Sequence, residues 1–377
     1  MQEQFDSENM ENLLPEDEQS VFEAALAERE RQDKAKKKLR FAATHVGWAT
    51  TLLIAVWMAA LVFVSVLAGL AGYVGIDGLD IYNKYLLIIN EVTLGIGIAV
   101  AAVVLFSVPR VELHREKTSA GGFLKILVMC FGAGYVGNWI GTTLLSIWNF
   151  ISGNSVGDEL VTLLDGMNPL IMFLSVGVLA PILEELFFRK LLTDRLRVFG
   201  ETVAILLPAF LFALFHQSAS QLIYAFTIGV LMGYFYCRTG NYWLTVLIHS
   251  VFNTVSGVIP VLFLPKINAF ALEMEEILGA NAALLESGDL AALGETMMPL
   301  MEEYGLVLGL YGIYAMLLFA VNITGLVLLI ANFKKFKDRG GEYSLPAKDA
   351  AKAVFKTSGM IVCTVLLGIL TVISLFS

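Results

Sequence analysis

Apolar stretches of about 20 residues recur along most of this chain, long enough to cross the roughly 30 Å hydrocarbon core of a bilayer as helices. Water is absent from that core, so each backbone N–H and C=O must find a partner within its own segment, which selects the α-helix. Composition agrees. Of 377 residues 57% are hydrophobic and 16% are charged, where a soluble domain carries about 25% charged residues. The expected fold is all-α, a polytopic transmembrane helical bundle of about nine spans near 47–73, 85–108, 122–150, 169–192, 201–217, 221–237, 242–264, 304–332 and 357–376. The fifth and sixth are short, which predicts tilting or a break at the polar stretch His216-Gln217-Ser218-Ala219-Ser220. With one re-entrant segment the count falls to eight.

Basic residues in short flanking loops stay in the cytoplasm. The stretch RERQDKAKKKLR before the first span therefore places the N-terminus inside. Alternation then puts Arg110, Arg115, Lys117, Arg195, Arg197, Arg238 and the group Lys334, Lys335, Lys337 and Arg339 on the same side. The acidic connections, GIDGLD, Asp158 with Glu159, and 265–303, fall outside. Five segments result: a charged cytoplasmic tail over 1–46, N-terminal membrane helices over 47–168, a core over 169–264, an acidic amphipathic outer segment over 265–303, and C-terminal membrane helices over 304–377. The net charge of −9 gathers in the tail, which includes Glu16, Asp17 and Glu18, and in the segment from Glu273 to Glu303. No basic face suited to nucleic acid is present. Cys130, Cys237 and Cys363 form no CxxC pair, so neither a disulfide framework nor a thiolate zinc site is indicated.

Two of the apolar spans carry charge. PILEELFFRK holds Glu184, Glu185 and Arg189, VLIHSVFN holds His249, and the apolar stretch LPAFLFALFH ends in His216. An ionisable group at the bilayer centre costs roughly 2.5–3.5 kcal/mol and marks a functional site by default. Glu185 and Arg189 stand four apart, acid first, the favoured order for a helical ion pair. Glu184 lies about 100° around the helix from Glu185 and so escapes that pair. The expectation is that Glu185 and Arg189 hold the architecture while Glu184 does chemistry. His249 and Asn253 share one stripe, as do Phe212 and His216. The remaining two histidines, His45 and His114, lie in or beside basic segments.

Glu184, His216, His249 and Asn253 together would make a hydrolytic site. A carboxylate in apolar surroundings takes a proton from water more readily than one in bulk solvent, with a histidine to orient or share it. An imidazole and an amide N–H can meet the oxyanion of an attacked carbonyl. Two imidazoles and a carboxylate, here His216, His249 and Glu184, are also a three-ligand set for catalytic zinc, although HExxH is absent. Two other readings stay open: a membrane scaffold or regulator that does no chemistry, and a proton-coupled transporter. Glu91, a further carboxylate within the second span, keeps the transporter open, although the leading expectation for it is a partner within the bundle or a place near the outer end, and the lack of internal repeats speaks against a transporter. On depth, a rise of 1.5 Å per residue puts Glu184 and His249 about 10 Å from the cytoplasmic side. His216 falls about 10 Å deeper, so convergence requires the fifth helix to start lower or to tilt.

These residues resemble a known family. EELFFR at 184–189 is similar to the EExxxR motif of the CPBP intramembrane proteases, also called the CAAX prenyl protease and bacteriocin-processing, or Abi, family. Phe212 to His216 resembles its FxxxH motif and His249 to Asn253 its HxxxN motif, joined by AFTIGVLMGYFYCRTGNYWLTVLIHSVFN, and the likeness covers roughly 165–258. The resemblance implies an intramembrane endopeptidase with Glu184 as catalytic carboxylate and His216 as its partner in activating water. His249 and Asn253 would stabilise the oxyanion, with Glu185 and Arg189 in support. It further implies a lipid bilayer setting and a hydrophobic or lipidated peptide substrate cut near the membrane surface, prenylated CAAX ends in eukaryotic members and bacteriocin maturation or self-immunity in bacterial ones. The expected location is the plasma membrane of a bacterium. The family is commonly classed as metalloprotease, which keeps a divalent metal such as Zn2+ among the expected cofactors, beside a metal-free glutamate mechanism.

Overall fold

The computed structural model describes residues 16–153, 156, 167–282, 286 and 288–376. Asp158, Glu159, residues 1–15 and the side chains of Glu16, Asp17 and Glu18 lie outside the described set. Among the described residues the helices in chain order are α1 Glu16–Ala71, α2 Gly78–Leu105, α3 Ala120–Ser152, α4 Pro169–Phe199, α5 Glu201–Phe215, α6 Leu222–Thr239, α7 Tyr242–Ala280, α8 Leu290–Asn332, α9 Ala347–Phe355 and α10 Ser358–Ile373. Seven are long and apolar enough to cross a membrane, or eight when α9 and α10, bent by 80°, count as one broken span. The chain is an integral membrane protein, and each expected span falls on a helix. The short α5 ends at Phe215, and the polar stretch after it is a turn in which Gln217 takes a positive φ of 50°.

Two segments differ from expectation. The charged tail is one helix with the first span, and 56 residues reach about 84 Å at 1.5 Å per residue, well beyond a bilayer core. It stays helical because one stripe is covered: Ala35, Leu39, Ala42, Ala43 and Val46 are buried, and α9 packs along it. Lys38 also donates to the Tyr343 hydroxyl, and Arg31 to the Ser344 carbonyl at 3.4 Å. The second departure is 265–303. In place of separate helices lying across the outer face, its described residues largely prolong α7 and α8 into a long hairpin. The Tyr304 hydroxyl reaches Glu273 at 2.7 Å between them, and Phe270 packs on Tyr304 with ring centroids 5.9 Å apart.

The basic loops gather at one end of the bundle. Val111 N–H donates to the Asp194 carbonyl at 2.8 Å, and Glu116 N–H to the Thr239 carbonyl at 2.7 Å. Glu201, buried at the start of α5, accepts from Arg197 at 3.4 Å, Arg238 at 2.8 Å and the Arg339 N–H at 2.9 Å. One carboxylate thus ties the ends of α4 and α6 to the connection after α8.

Helices in lipid gain little from the hydrophobic effect and associate through close packing, which small residues permit. Gly137 and Gly141 of α3 lie against Tyr224 and Ser220, where an added Cβ would meet backbone at 2.6 Å in both cases. Gly132 of α3 and Gly325 of α8 come closer still: a Cβ on Gly325 would sit 1.9 Å from the Val128 carbonyl oxygen. Backbone cannot yield there as a flexible side chain would. Gly325→Ala is expected to cost about 1–3 kcal/mol, the usual penalty of overpacking, read as a lower thermal transition of the detergent-solubilised protein; an unchanged transition would mean that α3 and α8 do not make this contact.

Candidate active site

Helix α4 is not a regular α-helix. Two π-helical stretches, Phe173–Leu179 and Leu186–Thr193, flank the α-helical turn Ala180–Glu185, and a third, Thr254–Val258, begins directly after Asn253 in α7. The π turn is rare and occurs mostly at functional sites, because it rephases side chains against the helix axis. The second adjoins Glu185 and the third Asn253, both singled out in the sequence. In the second, the Thr193 hydroxyl bonds the Phe188 carbonyl five residues back at 2.9 Å.

The expected Glu185–Arg189 pair forms, with Arg189 Nε 2.9 Å from Glu185 Oε2 and Nη2 3.4 Å from Oε1. Both side chains are fully buried. Arg189 also lies over the Phe212 ring, 5.9 Å from its centroid. His249 joins the pair from α7: its Nδ1 is 3.3 Å from Glu185 Oε1 and its Nε2 is 3.7 Å from Glu184 Oε2. A carboxylate held by a guanidinium is an acceptor only, so the proton of that bond belongs to His249 Nδ1. Glu184 has no such anchor, and its Oε2 is buried without a hydrogen bond. The two neighbouring glutamates are thereby differentiated, one neutralised and one not.

Helix α7 is laced to α4 beyond His249. Asn253 donates one amide hydrogen to the Val176 carbonyl at 3.1 Å, inside the first π stretch. The Tyr242 hydroxyl donates to the Ile182 carbonyl at 2.8 Å. Sequence reading passed over Tyr242, although it stands seven residues before His249 and so shares its stripe. It passed over a second cluster as well, nearer the basic end: Tyr236 of α6 donates to Asp194 at 2.7 Å, and Lys190 pairs with Asp194 at 2.8 Å. Lys190 and Asp194 are spaced four apart, but two residues in the last turns of a span read as flanking charge.

His216 closes α5. Its Nδ1 meets the Phe212 carbonyl at 2.8 Å, which assigns the proton to Nδ1 and leaves Nε2 as an acceptor. Its ring stands edge-on to Phe212, centroids 4.7 Å apart, and His249 packs on that same phenyl ring at 5.8 Å. The structure thus brings Glu184, Glu185, Arg189 and His249 into mutual reach, sets Asn253 on the Val176 carbonyl, and places His216 across the Phe212 ring. Helix α5 starts at Glu201 as drawn, and α4 continues beyond the expected end at 192 to Phe199. The extra turns are tolerated because Arg195 donates to the carbonyls of Leu105 at 2.9 Å and Leu191 at 3.0 Å, and Arg197 to that of Gly340 at 3.1 Å.

Among the described residues, no three His, Cys, Asp or Glu side chains are grouped to hold a metal ion. Glu184, His216 and His249, the donors named for zinc, are not grouped in this way; both imidazoles pack edge-on to the Phe212 ring.

Removing one partner of a buried pair strands the other charge, which costs about 3–5 kcal/mol. Arg189→Met is therefore expected to collapse the thermal transition of the purified protein. Glu184→Gln should leave it nearly in place, because no bond is lost at Oε2. Equal destabilisation by the two would contradict the differentiation of the glutamates.

A scan against protein-family models matches residues 166–255 to the type II CAAX prenyl endopeptidase Rce1-like family. Searches of curated proteins and of solved structures gave no match. The matched stretch holds all six site residues, from Glu184 to Asn253, within the limits of the motif resemblance. Over residues 166–255 the chain is similar to the CAAX prenyl endopeptidase family that its three motifs resemble.

Proposed function

We propose that the protein is an intramembrane endopeptidase that hydrolyses a peptide bond of a lipidated or hydrophobic peptide, working from the core 169–264 between its N-terminal and C-terminal helices. The observation that carries this reading is the contrast between Glu185, neutralised by Arg189 and His249, and Glu184, whose buried Oε2 has no partner 3.7 Å from His249 Nε2. A structural clamp needs the first carboxylate and not the second.

In this scheme Glu184 takes one proton from water as the water oxygen attacks the scissile carbonyl carbon. Charge then develops on the carbonyl oxygen. His249 donates at Nδ1 to Glu185 and turns Nε2, when that nitrogen also carries a proton, toward that oxyanion. Asn253 offers the amide hydrogen not used by Val176. As the tetrahedral species collapses, the C–N bond breaks and Glu184 returns its proton to the leaving amine. His216, with Nε2 left as an acceptor, supports Glu184 by sharing the proton taken from the water, as the family resemblance suggests. None of these steps calls on a metal.

The basic end of the bundle would face the cytoplasm by the positive-inside rule, in the plasma membrane of a bacterium, with the N-terminus on that side. The C-terminal Cys-aliphatic-aliphatic-X sequence of a prenylated protein, named in the description of the matched family, is the first substrate to try.

The test is cleavage of a quenched farnesylated peptide ending in such a sequence, in proteoliposomes, beside membrane peptidomics of expressing cells. Loss of a general base costs about 10²–10⁴-fold, so Glu184→Gln should fall at least about 100-fold at matched protein levels. Samples of wild type and variant that do not differ would favour the scaffold reading. Dialysis against a chelator is expected to leave activity intact; a loss that zinc restores would mean that the donors do assemble around a metal in the working state.

A further inference from the structure

Glu91 is the membrane carboxylate that the scheme above leaves unused. It lies on α2, outside the matched residues 166–255, and is buried to 6% exposure. Its place along α4 follows from its neighbours. One turn before it, Leu87 packs with Met172 of α4 and Val258 of α7. One turn after it, Gly95 faces Leu183, whose Cδ2 would be 3.9 Å from an added Cβ. Residues four apart share a face, so Glu91 is bracketed between the levels of Met172 and Leu183. That is the stretch of α4 carrying the Val176 carbonyl and leading to Glu184.

Glu91 is also held in a defined orientation. Trp57 of α1 stacks on Phe215, centroids 5.4 Å apart, and donates from its indole Nε1 to Asn90 Oδ1 at 3.1 Å. Asn90 then donates from Nδ2 to Glu91 Oε1 at 3.1 Å. This chain satisfies one carboxylate oxygen and leaves the other: Glu91 Oε2 is buried with no hydrogen bond, as is Glu184 Oε2. Two orphaned acceptors on facing helices are a costly arrangement for packing alone.

We propose that Glu91 is a further carboxylate of the reaction site, and that its Oε2 and that of Glu184 are the two acceptors for the hydrogens of the attacking water. This rests on the peptidase reading. A buried water needs two to four polar partners, and the seven motif positions from Glu184 to Asn253 offer it few acceptors. With one hydrogen directed to each carboxylate, the lone pairs of the oxygen turn away from both, toward the substrate carbonyl. Glu184 removes its proton as the C–O bond forms. The second hydrogen stays on the new hydroxyl, bonded to Glu91 Oε2, and leaves with the carboxyl product. Trp57 and Asn90 are positioning residues for Glu91.

The experiment measures kcat and KM on the quenched farnesylated peptide for wild type, Glu184→Gln, Glu91→Gln, Glu91→Asp and Trp57→Phe in proteoliposomes. Replacing the acceptor by an amide should lower kcat by about 10–100-fold, in the lower range for a group positioned on a moving proton, with KM unchanged. Glu91→Asp should recover part of the loss. Trp57→Phe keeps the ring stack and removes only the indole donor, and a several-fold fall in kcat is expected. Glu91→Gln with wild-type kcat overturns the proposal while leaving the peptidase reading intact. Wild type and Glu184→Gln that behave alike overturn both. Should Glu91→Gln fail to accumulate in the membrane, Trp57→Phe decides, and wild-type kcat in that variant counts against the role of Glu91.

Discussion

A guanidinium and a carboxylate, both fully buried and 2.9 Å apart, set the terms for the rest of this bundle. Neither charge would be tolerated alone in a low-dielectric interior, and together they make a rigid, nearly neutral unit within one helix. Because Glu185 also accepts from His249 at 3.3 Å, the same unit fixes the rotation of α7 against α4. Asn253 and Tyr242 then find the Val176 and Ile182 carbonyls. Those contacts repeat along the α4–α7 seam, so the imidazole cannot swing away from Glu184 without breaking several bonds. The clamp is thus an orienting device as well as a neutralising one.

The π stretches are its counterpart in the backbone. A regular α-helix would keep Glu184 and Glu185 at fixed angles to every other residue of the span. Interrupting the helix on both sides of Ala180–Glu185 lets that turn face the site on its own terms, while the ends of α4 pack elsewhere. Thr193 and Arg195 show how this is accommodated, since their side chains bond nearby main-chain carbonyls. In lipid the backbone has no other source of partners.

Span positions, the basic end and the Glu185–Arg189 pair were legible in the sequence because each depends on short-range chemistry: apolar runs, charge in loops, and spacing of four on a helix. What was illegible depends on where a helix stops. RERQDKAKKKLR reads as a solvated tail, yet Ala35 and Leu39 interrupt it four apart and, with Ala42 just beyond it, bury themselves against the rest of the protein. Arg195 and Arg197 read as loop residues, and only carbonyls from Leu105 and Gly340, distant in sequence, let α4 run through them. The π turns left no sequence trace, and without them the facing of Glu184 is set by the 100° step alone. Glu91 was visible as a charge out of place, but its neighbourhood was not, because α2 reaches α4 by tertiary packing.

The matched segment 166–255 therefore does not contain the whole site environment. Gly95 of α2 lies against Leu183, and Trp57 of α1 lies against Phe215 beside His216. One core cluster joins Leu53, Ile54, Leu94 and Ile98 of the first two helices to Phe188, Phe212 and Phe215 of the motif helices. Unpaired carboxylates inside a membrane protein raise its free energy, and that cost is offset by packing spread over helices that carry no motif. The motif residues all lie in the matched segment, whereas α1 and α2 pack around the carboxylates and fix them in place. A site of this kind is a property of the bundle, and its boundary in sequence is set by contact and not by the extent of a family resemblance.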